Sequence, residues 1–360
     1  MAENSKPFVG RGATVSPGNR FEAIHLADDF EQLAEDDDLL AAERRVPTQF
    51  FVDASQSIIA KNDSPDVFFD YSVNAYRGCE HGCAYCYARP GHEYLGFNAG
   101  LDFETRIMVK LDAAKLLREE LCRSSWKGEL IVMSGVTDCY QPAERRFGLT
   151  RSLLEVMLEA RQATGIITKN ALVTRDVDLL AQLAAMNLVR VHLSLTTLDQ
   201  ELARKLEPRT STPAAKLEAV RKLSAAGVPV GVMIAPVVPG INDHEIPKIL
   251  AAAAEAGARH AGFVLLRLPY AVKPIFLQWV AEHYPDKRDR VEALIRDTRD
   301  GELYQTDFRV RQRGTGRYAE QIEQSFAVFA RKHGLDRPMP EYDFSHFRPP
   351  RPASGQMNLF

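Results

Sequence analysis

From residue 68 onward, short apolar runs of strand length alternate with amphipathic runs of helix length, and this alternation limits the fold more than any other feature of the chain. After "FFDYSVNAYRG" come "ELIVMSG" and then "LTRSLLEVMLEARQAT". "GIITKN" precedes "DVDLLAQLAAM", "LVRVHLSLTT" precedes "TPAAKLEAVRKLSAAG", "VPVGVMIAPVVPG" precedes "HEIPKILAAAAEAG", and "HAGFVLLRLP" closes the series. Strand, helix, strand makes a parallel unit, because the helix carries the chain back to begin the next strand in the same direction. With the strand ahead of "RGCEHGCAYCYARP" the series counts six strands. The predicted fold class is α/β: a partial (β/α)6 TIM-type barrel with an N-terminal extension and a C-terminal helical segment, with a doubly wound sheet as the alternative. In either arrangement chemistry gathers at the C-terminal ends of the strands.

The boundaries follow from texture. Residues 1–65 read as a polar extension whose acidic run "EQLAEDDDLLAAERR" forms at most a short solvated helix. Residues 66–270 hold the barrel, 271–345 are helical, and 346–360, ending "FRPPRPASGQMNLF", read as a flexible Pro-rich tail. With 45% apolar residues in 360, the chain has enough to bury one large core. A net charge of −3 argues against a protein that coats nucleic acid by charge alone. The N-terminus lacks the apolar core of a signal peptide, and a cytoplasmic location is expected. Five cysteines, three of them clustered, do not form the pattern of a secreted disulfide framework.

Those three, Cys79, Cys83 and Cys86, stand in a C-x3-C-x2-C spacing on the loop that leaves the first barrel strand. Soft sulfur ligands this close select zinc or an iron–sulfur cluster. Structural zinc takes four ligands, and His81 or His92 is near enough in sequence to supply the fourth. A cubane held by three cysteines instead leaves one iron without a protein ligand. Both readings are open at this point.

The loop, with Tyr85 just before its last cysteine and a barrel strand before it, resembles the radical S-adenosylmethionine (SAM) superfamily, and the resemblance runs from about Tyr71 to Pro269. It implies a [4Fe-4S] cluster on Cys79, Cys83 and Cys86, with S-adenosyl-L-methionine chelated at the fourth iron through its amino and carboxylate groups. Reductive cleavage to methionine and a 5′-deoxyadenosyl radical follows in that superfamily, with the electron from a flavodoxin- or ferredoxin-type donor. "CAYCYARP", "HEYLGFNAGLDFETRIMVK", "SGVTDCYQPAERR", "TKNALVTRD" and "HLSLTTLD" are similar to the branch of spore photoproduct lyase and the DNA repair photolyase-like proteins, which implies lyase chemistry on damaged DNA.

By that similarity Lys169, at the end of the third strand, pairs with the cofactor carboxylate, and Ser194 and Thr196, at the end of the fourth, meet ribose hydroxyls. Thr137 and Asp138 follow the second strand and lie nearby, with Asp138 in a catalytic role. Tyr85 is assigned to the cofactor and Tyr87 to the reacting centre, although both also suit a plain shielding role over the cluster. Cys139 is the candidate hydrogen-atom donor to a substrate radical. The lyase's own donor aligns a few residues earlier, near Gly135 or Val136, so the match is offset. Cys122 reads as packing. "VVPGIND" supplies a glycine turn where the superfamily's adenine sits.

Two features lie outside the barrel. Gln356, Leu359 and Phe360 in the terminal "QMNLF" match the short peptide by which bacterial repair proteins dock on the DNA sliding clamp. Arg309, Arg311, Arg313 and Arg317 in "FRVRQRGTGRYAEQI" form the densest basic stretch and are candidates for phosphate contact. The alternatives are a radical SAM enzyme acting on RNA, peptide or a metabolite, and a zinc-stabilised DNA-associated protein without catalysis.

Overall fold

The computed structural model of the protein describes residues 10–13, 15–21, 46–308 and 310–351. Ten strands are described: β1 (Gln49–Val52), β2 (Ile59–Lys61), β3 (Tyr71–Val73), β4 (Tyr76–Arg77), β5 (Arg106–Val109), β6 (Ile131–Met133), β7 (Thr164–Thr168), β8 (Val189–Ser194), β9 (Val230–Val237) and β10 (His260–Leu265). Six of them, β3, β6, β7, β8, β9 and β10, lie side by side in chain order and run parallel. A doubly wound sheet would reverse its strand order part-way. This order never reverses, so the architecture is a partial TIM-type barrel. β2 pairs antiparallel on the outer edge of β3.

Parallel strands covered on both faces need near-continuous apolar sequence, and Ile131, Val132 and Met133 of β6 are all buried. The crossover helices are α1 (Ala113–Leu121), α2 (Leu149–Ala160), α3 (Val177–Ala184), α4 (Gln200–Leu206), α5 (Pro213–Ala225) and α6 (Ile246–Glu255). Their starts are written in the sequence. Asp199 caps α4 by accepting from the N–H groups of Glu201 and Leu202, and Thr212 caps α5 with Pro213 as its first residue. Beyond the barrel follow α7 (Val272–His283), α8 (Arg288–Asp297) and α9 (Gly316–Lys332). A second apolar cluster, built from Leu202, Leu206, Leu268, Phe276 and Trp279, takes in Cys83, Ala84 and Tyr85. The cysteine loop is thereby part of a core.

Two expectations need correction. Residues 1–65 are not merely a polar extension: β1 pairs parallel with β5, β5 pairs antiparallel with β4, and β2 joins the main sheet. Gln49–Val52 is a β-forming run that finds a partner only far along the chain. The acidic run lies outside the described residues. Nor is the segment after residue 345 free as far as residue 351. The Arg348 N–H donates to the Ala160 carbonyl at 2.9 Å, the Arg351 N–H to Glu159 at 2.9 Å, and the Cys122 thiol to the Pro350 carbonyl at 3.2 Å. The open carbonyl end of α2 needs donors, and this segment provides them.

Candidate active site

The cysteine loop begins at Gly78, which follows β4 with φ of +80°, a conformation glycine adopts without strain. A Cβ there would stand 3.0 Å from His92, Ile107 and the Phe103 carbonyl. Backbone bonds then fix the loop from several sides. The Cys79 N–H donates to the Phe103 carbonyl at 2.9 Å, Ala84 to Leu206 at 3.1 Å, and Glu80 to the Gln141 side chain at 2.9 Å. The buried Arg89 guanidinium donates to the Cys83 carbonyl at 2.8 and 3.1 Å, to the carbonyls of Ala99 and Gly100, and to Glu104. Glu104 in turn accepts from the N–H groups of Arg11 and Ala13 at 2.7 and 2.8 Å. The N-terminal segment thus closes over the loop.

Cys79 and Cys83 are buried and Cys86 is half-buried. Burial pushes all three thiols up, and for Cys79 the neighbouring charges of Asp138, Cys86 and Cys83 add to it. Thiols in such a place are held as thiolates only by a strong cationic centre. Among the described residues no three His, Cys, Asp or Glu side chains converge on one metal ion. His81 is engaged elsewhere, with Nδ1 3.5 Å from Asp138 and Nε2 3.3 Å from Asn170. His92 lies against the rings of Phe97 and Phe103. Among the described residues neither histidine joins the three cysteines in a set that could hold one metal ion, and the zinc reading loses its support. Three thiols without a fourth partner fit a cubane, in which each sulfur takes a different iron.

Facing the loop, the strand ends build a charged network. Lys169, one residue past β7, donates from Nζ to the Ser194 hydroxyl at 2.6 Å and to the Ala235 carbonyl at 2.9 Å, and stands 3.2 Å from Glu207. Glu207 is buried and also accepts from Tyr85, from Thr196 at 2.6 Å and from Lys216 at 2.7 Å. Burial pushes the Glu207 carboxyl up, but Lys169, Lys216 and the donated hydrogen bonds outweigh it, and the carboxyl is held below its usual range. For Lys169 burial opposes the charge, and Glu207 outweighs it, so the ammonium lies above its ordinary value. Asp138 accepts from the Thr168 hydroxyl and the Lys169 N–H, each at 2.7 Å, and from the Tyr140 N–H at 2.8 Å. Its carboxylate thereby ties His81 in the cysteine loop to the end of β7.

The structure thus brings Tyr85, Asp138, Lys169, Ser194 and Thr196 together around the cysteine loop. Thr137 donates to the Tyr76 carbonyl at 2.7 Å and holds the β6 loop against β4. Tyr87 is exposed, donates to the Gly135 carbonyl at 3.0 Å and has the Arg267 guanidinium 5.2 Å from its ring centre. Cys139 lies in the main core, its N–H donating to Ser134 at 2.8 Å. Of the basic stretch, Arg311 pairs with Asp66 and donates to Ser64 at 2.7 Å, Arg313 lies over the Phe263 ring, and Arg317 is exposed. Arg309, Gln356, Leu359 and Phe360 lie outside the described residues. Glu207 and Lys216 were not legible as site residues. The one local signal is Pro208, which ends α4 and leaves Glu207 in a turn.

Residues 73–253 match the family model of the radical SAM superfamily. The chain belongs to that superfamily. Uncharacterized proteins of Mycobacterium bovis and Mycobacterium tuberculosis are 40% identical over 230 residues, covering 63% of this chain and 68% of theirs. An uncharacterized protein of Methanocaldococcus jannaschii is 29% identical over 175 residues, covering 49% of this chain and 63% of its own. Among solved structures, a cysteine-to-serine mutant of spore photoproduct lyase superposes with a TM-score of 0.57 at 18% identity, covering 87% of this chain and 85% of that one. Another mutant of that lyase, with bound AdoMet and dinucleoside spore photoproduct, gives 0.54 at 17% identity over 87% and 85%. The radical SAM enzyme uses a [4Fe-4S] cluster and S-adenosyl-L-methionine, and the loop at Cys79, Cys83 and Cys86 fits the cluster. Bound there, the two supply the radical chemistry; the chain supplies binding, orientation and exclusion of water. Among the described residues no helix is long and apolar enough to cross a membrane.

Proposed function

We propose that this radical SAM enzyme acts on damaged DNA in a lyase-type repair reaction. The observation that carries the reading is an aromatic and cationic rim beside the strand ends. The Arg20 guanidinium lies 4.2 Å from the ring centre of Tyr270, 4.7 Å from Phe21 and 5.6 Å from Tyr94, and all three rings are exposed. Tyr270 follows β10, and Tyr94 follows the cysteine loop. Exposed rings interleaved with arginine are a surface on which bases stack, whatever their sequence. The fold of spore photoproduct lyase, which in one structure holds a dinucleoside photoproduct, is consistent with this reading.

In this reading Lys169 receives the cofactor carboxylate, Ser194 and Thr196 orient its ribose end, and Tyr85 and Asp138 hold the cysteine loop and Lys169 in register. Tyr87, at the opening, faces the reacting centre. Reduction draws on a flavodoxin- or ferredoxin-type donor. Anaerobic reconstitution and reduction, followed by assay of 5′-deoxyadenosine with and without ultraviolet-irradiated DNA, tests the proposal. Irradiated DNA is expected to raise 5′-deoxyadenosine formation and to lose its lesion. Equal formation with irradiated and intact DNA, with the lesion unchanged, would overturn the DNA reading and leave RNA, peptide or a metabolite as the substrate.

A further inference from the structure

Arg267 and Arg299 lie beyond the C-terminal end of β10, and each keeps a guanidinium N–H that no neighbouring group accepts. Arg267 lies two residues past the C-terminal end of β10, on the face where Lys169 and Ser194 stand. Arg299, in the turn after α8, reaches the same place: it is 1% exposed, and its Nη2 donates to the Leu266 carbonyl at 2.7 Å and its Nη1 to the Val310 carbonyl at 3.0 Å. The Nε atoms of both arginines are buried and have no hydrogen-bond partner. Among the described residues neither guanidinium pairs with a carboxylate. Burial and, after it, the charge of Arg267 push Arg299 down to about 10 against the opposing influence of Tyr304. A buried guanidinium with a second, half-buried one near it and no acid costs stability unless an anion joins them.

We infer that Arg267 and Arg299 form an anion subsite at the mouth of the barrel that receives a phosphate group of the substrate. The inference rests on the nucleic-acid reading for the source of that phosphate, but the subsite itself does not. Guanidinium forks match phosphate oxygens two at a time, which an ammonium does not do. The location favours substrate. The Arg267 guanidinium lies over the ring of Tyr87, the residue after Cys86, and Tyr270 of the stacking rim is three residues along the chain. A phosphodiester held here leaves one neighbouring base near Tyr270 and directs the other toward the cysteine loop.

The test uses the reconstituted, cofactor-loaded enzyme and anaerobic calorimetric titration with three probes: inorganic phosphate, the dinucleotide TpT and its uncharged methylphosphonate analogue. TpT is expected to bind more tightly than the analogue, and inorganic phosphate to compete with it. Arg267→Gln is expected to weaken TpT by roughly 10- to 100-fold, to close most of the gap to the analogue, and to reduce the slope of log affinity against log salt by about 1. Arg299→Lys, which keeps the charge and loses the fork, is expected to weaken TpT as well. If Arg299→Lys does not fold, Arg267→Gln alone decides. Wild-type enzyme that binds TpT and the analogue equally, or Arg267→Gln that binds TpT as wild type does, would refute the subsite while leaving the DNA reading standing. Phosphate binding that needs Arg267, in an enzyme that does not bind TpT, would keep the subsite for a phosphorylated small substrate and refute the nucleic-acid reading. Loss of S-adenosylmethionine affinity in Arg267→Gln with TpT binding intact would assign the pair to the cofactor and overturn the inference.

Discussion

Glu207 sits between Lys169 and Lys216 with its oxygens also taken by Tyr85 and Thr196, so its removal strands the buried Lys216 and takes the carboxylate from the half-buried Lys169. Breaking a buried pair from one side costs about 3–5 kcal/mol, because the remaining charge has lost its partner and cannot reach water. Glu207→Gln is expected to lower the thermal unfolding midpoint markedly, and S-adenosylmethionine to restore part of the loss, its carboxylate standing in beside Lys169. Unfolding scans with and without the cofactor read both effects. The same carboxylate gives a pH signature. Its folded value lies below its unfolded one, so its contribution is present above the ordinary carboxylate range and is lost as pH falls through the folded value. Between about pH 5 and pH 3 the wild type should lose more stability than Glu207→Gln. Cys83→Ala is expected to cut iron and acid-labile sulfide after anaerobic reconstitution and to abolish 5′-deoxyadenosine formation. Cys139→Ala, a core substitution beside Asp138, should leave reductive cleavage largely intact; complete loss of cleavage in a folded variant would contradict a donor role that acts only later.

What was legible at this scale was chemistry with a local address. The cysteines declared themselves by spacing, and Lys169 and Ser194 by standing at the ends of apolar strands. Glu207, Arg267 and Arg299 carry no such mark. A glutamate after a helix and an arginine after a strand are ordinary surface residues until the topology turns them inward.

At the level of elements, the N-terminal strands leave little trace in the sequence because strands as short as β1 and β2 are stabilised by their partners and not by their own residues. The closest approach in that region is between Gly12 and Gly82: a Cβ on Gly12 would stand 1.8 Å from the Gly82 carbonyl oxygen. Only glycine lets the two backbones meet, and the N-terminal segment then delivers Arg11 and Ala13 to Glu104, which holds Arg89, which holds Cys83. Gly12→Val is expected to push this segment off the loop. The barrel should survive, with unchanged far-ultraviolet circular dichroism, while the reconstituted variant loses iron faster during anaerobic gel filtration. Iron retention equal to that of the wild type would show that the segment is dispensable to the cluster. The alternating pattern, by contrast, made the six parallel strands and their order readable, because each crossover helix both separates and aligns its two strands.

For the whole molecule, α7, α8 and α9 extend the barrel without closing it, and Arg311 ties this region to Asp66 beside the first barrel strand. The wider partnerships of such a molecule are open to direct test. If the terminal Gln356, Leu359 and Phe360 dock on a bacterial sliding clamp, deleting residues 356–360 should abolish capture of the purified clamp in a surface binding assay; undiminished capture would refute the docking. The anchoring of residues 348–351 at the far end of α2 bears on how that arrangement works. α2 finishes where β7 begins, which is the pole of the barrel opposite the cysteines. Residues 348–351 thus run along the side of the barrel away from the cysteine loop, so a surface that meets the chain there leaves the mouth, with Lys169 and Ser194, uncovered.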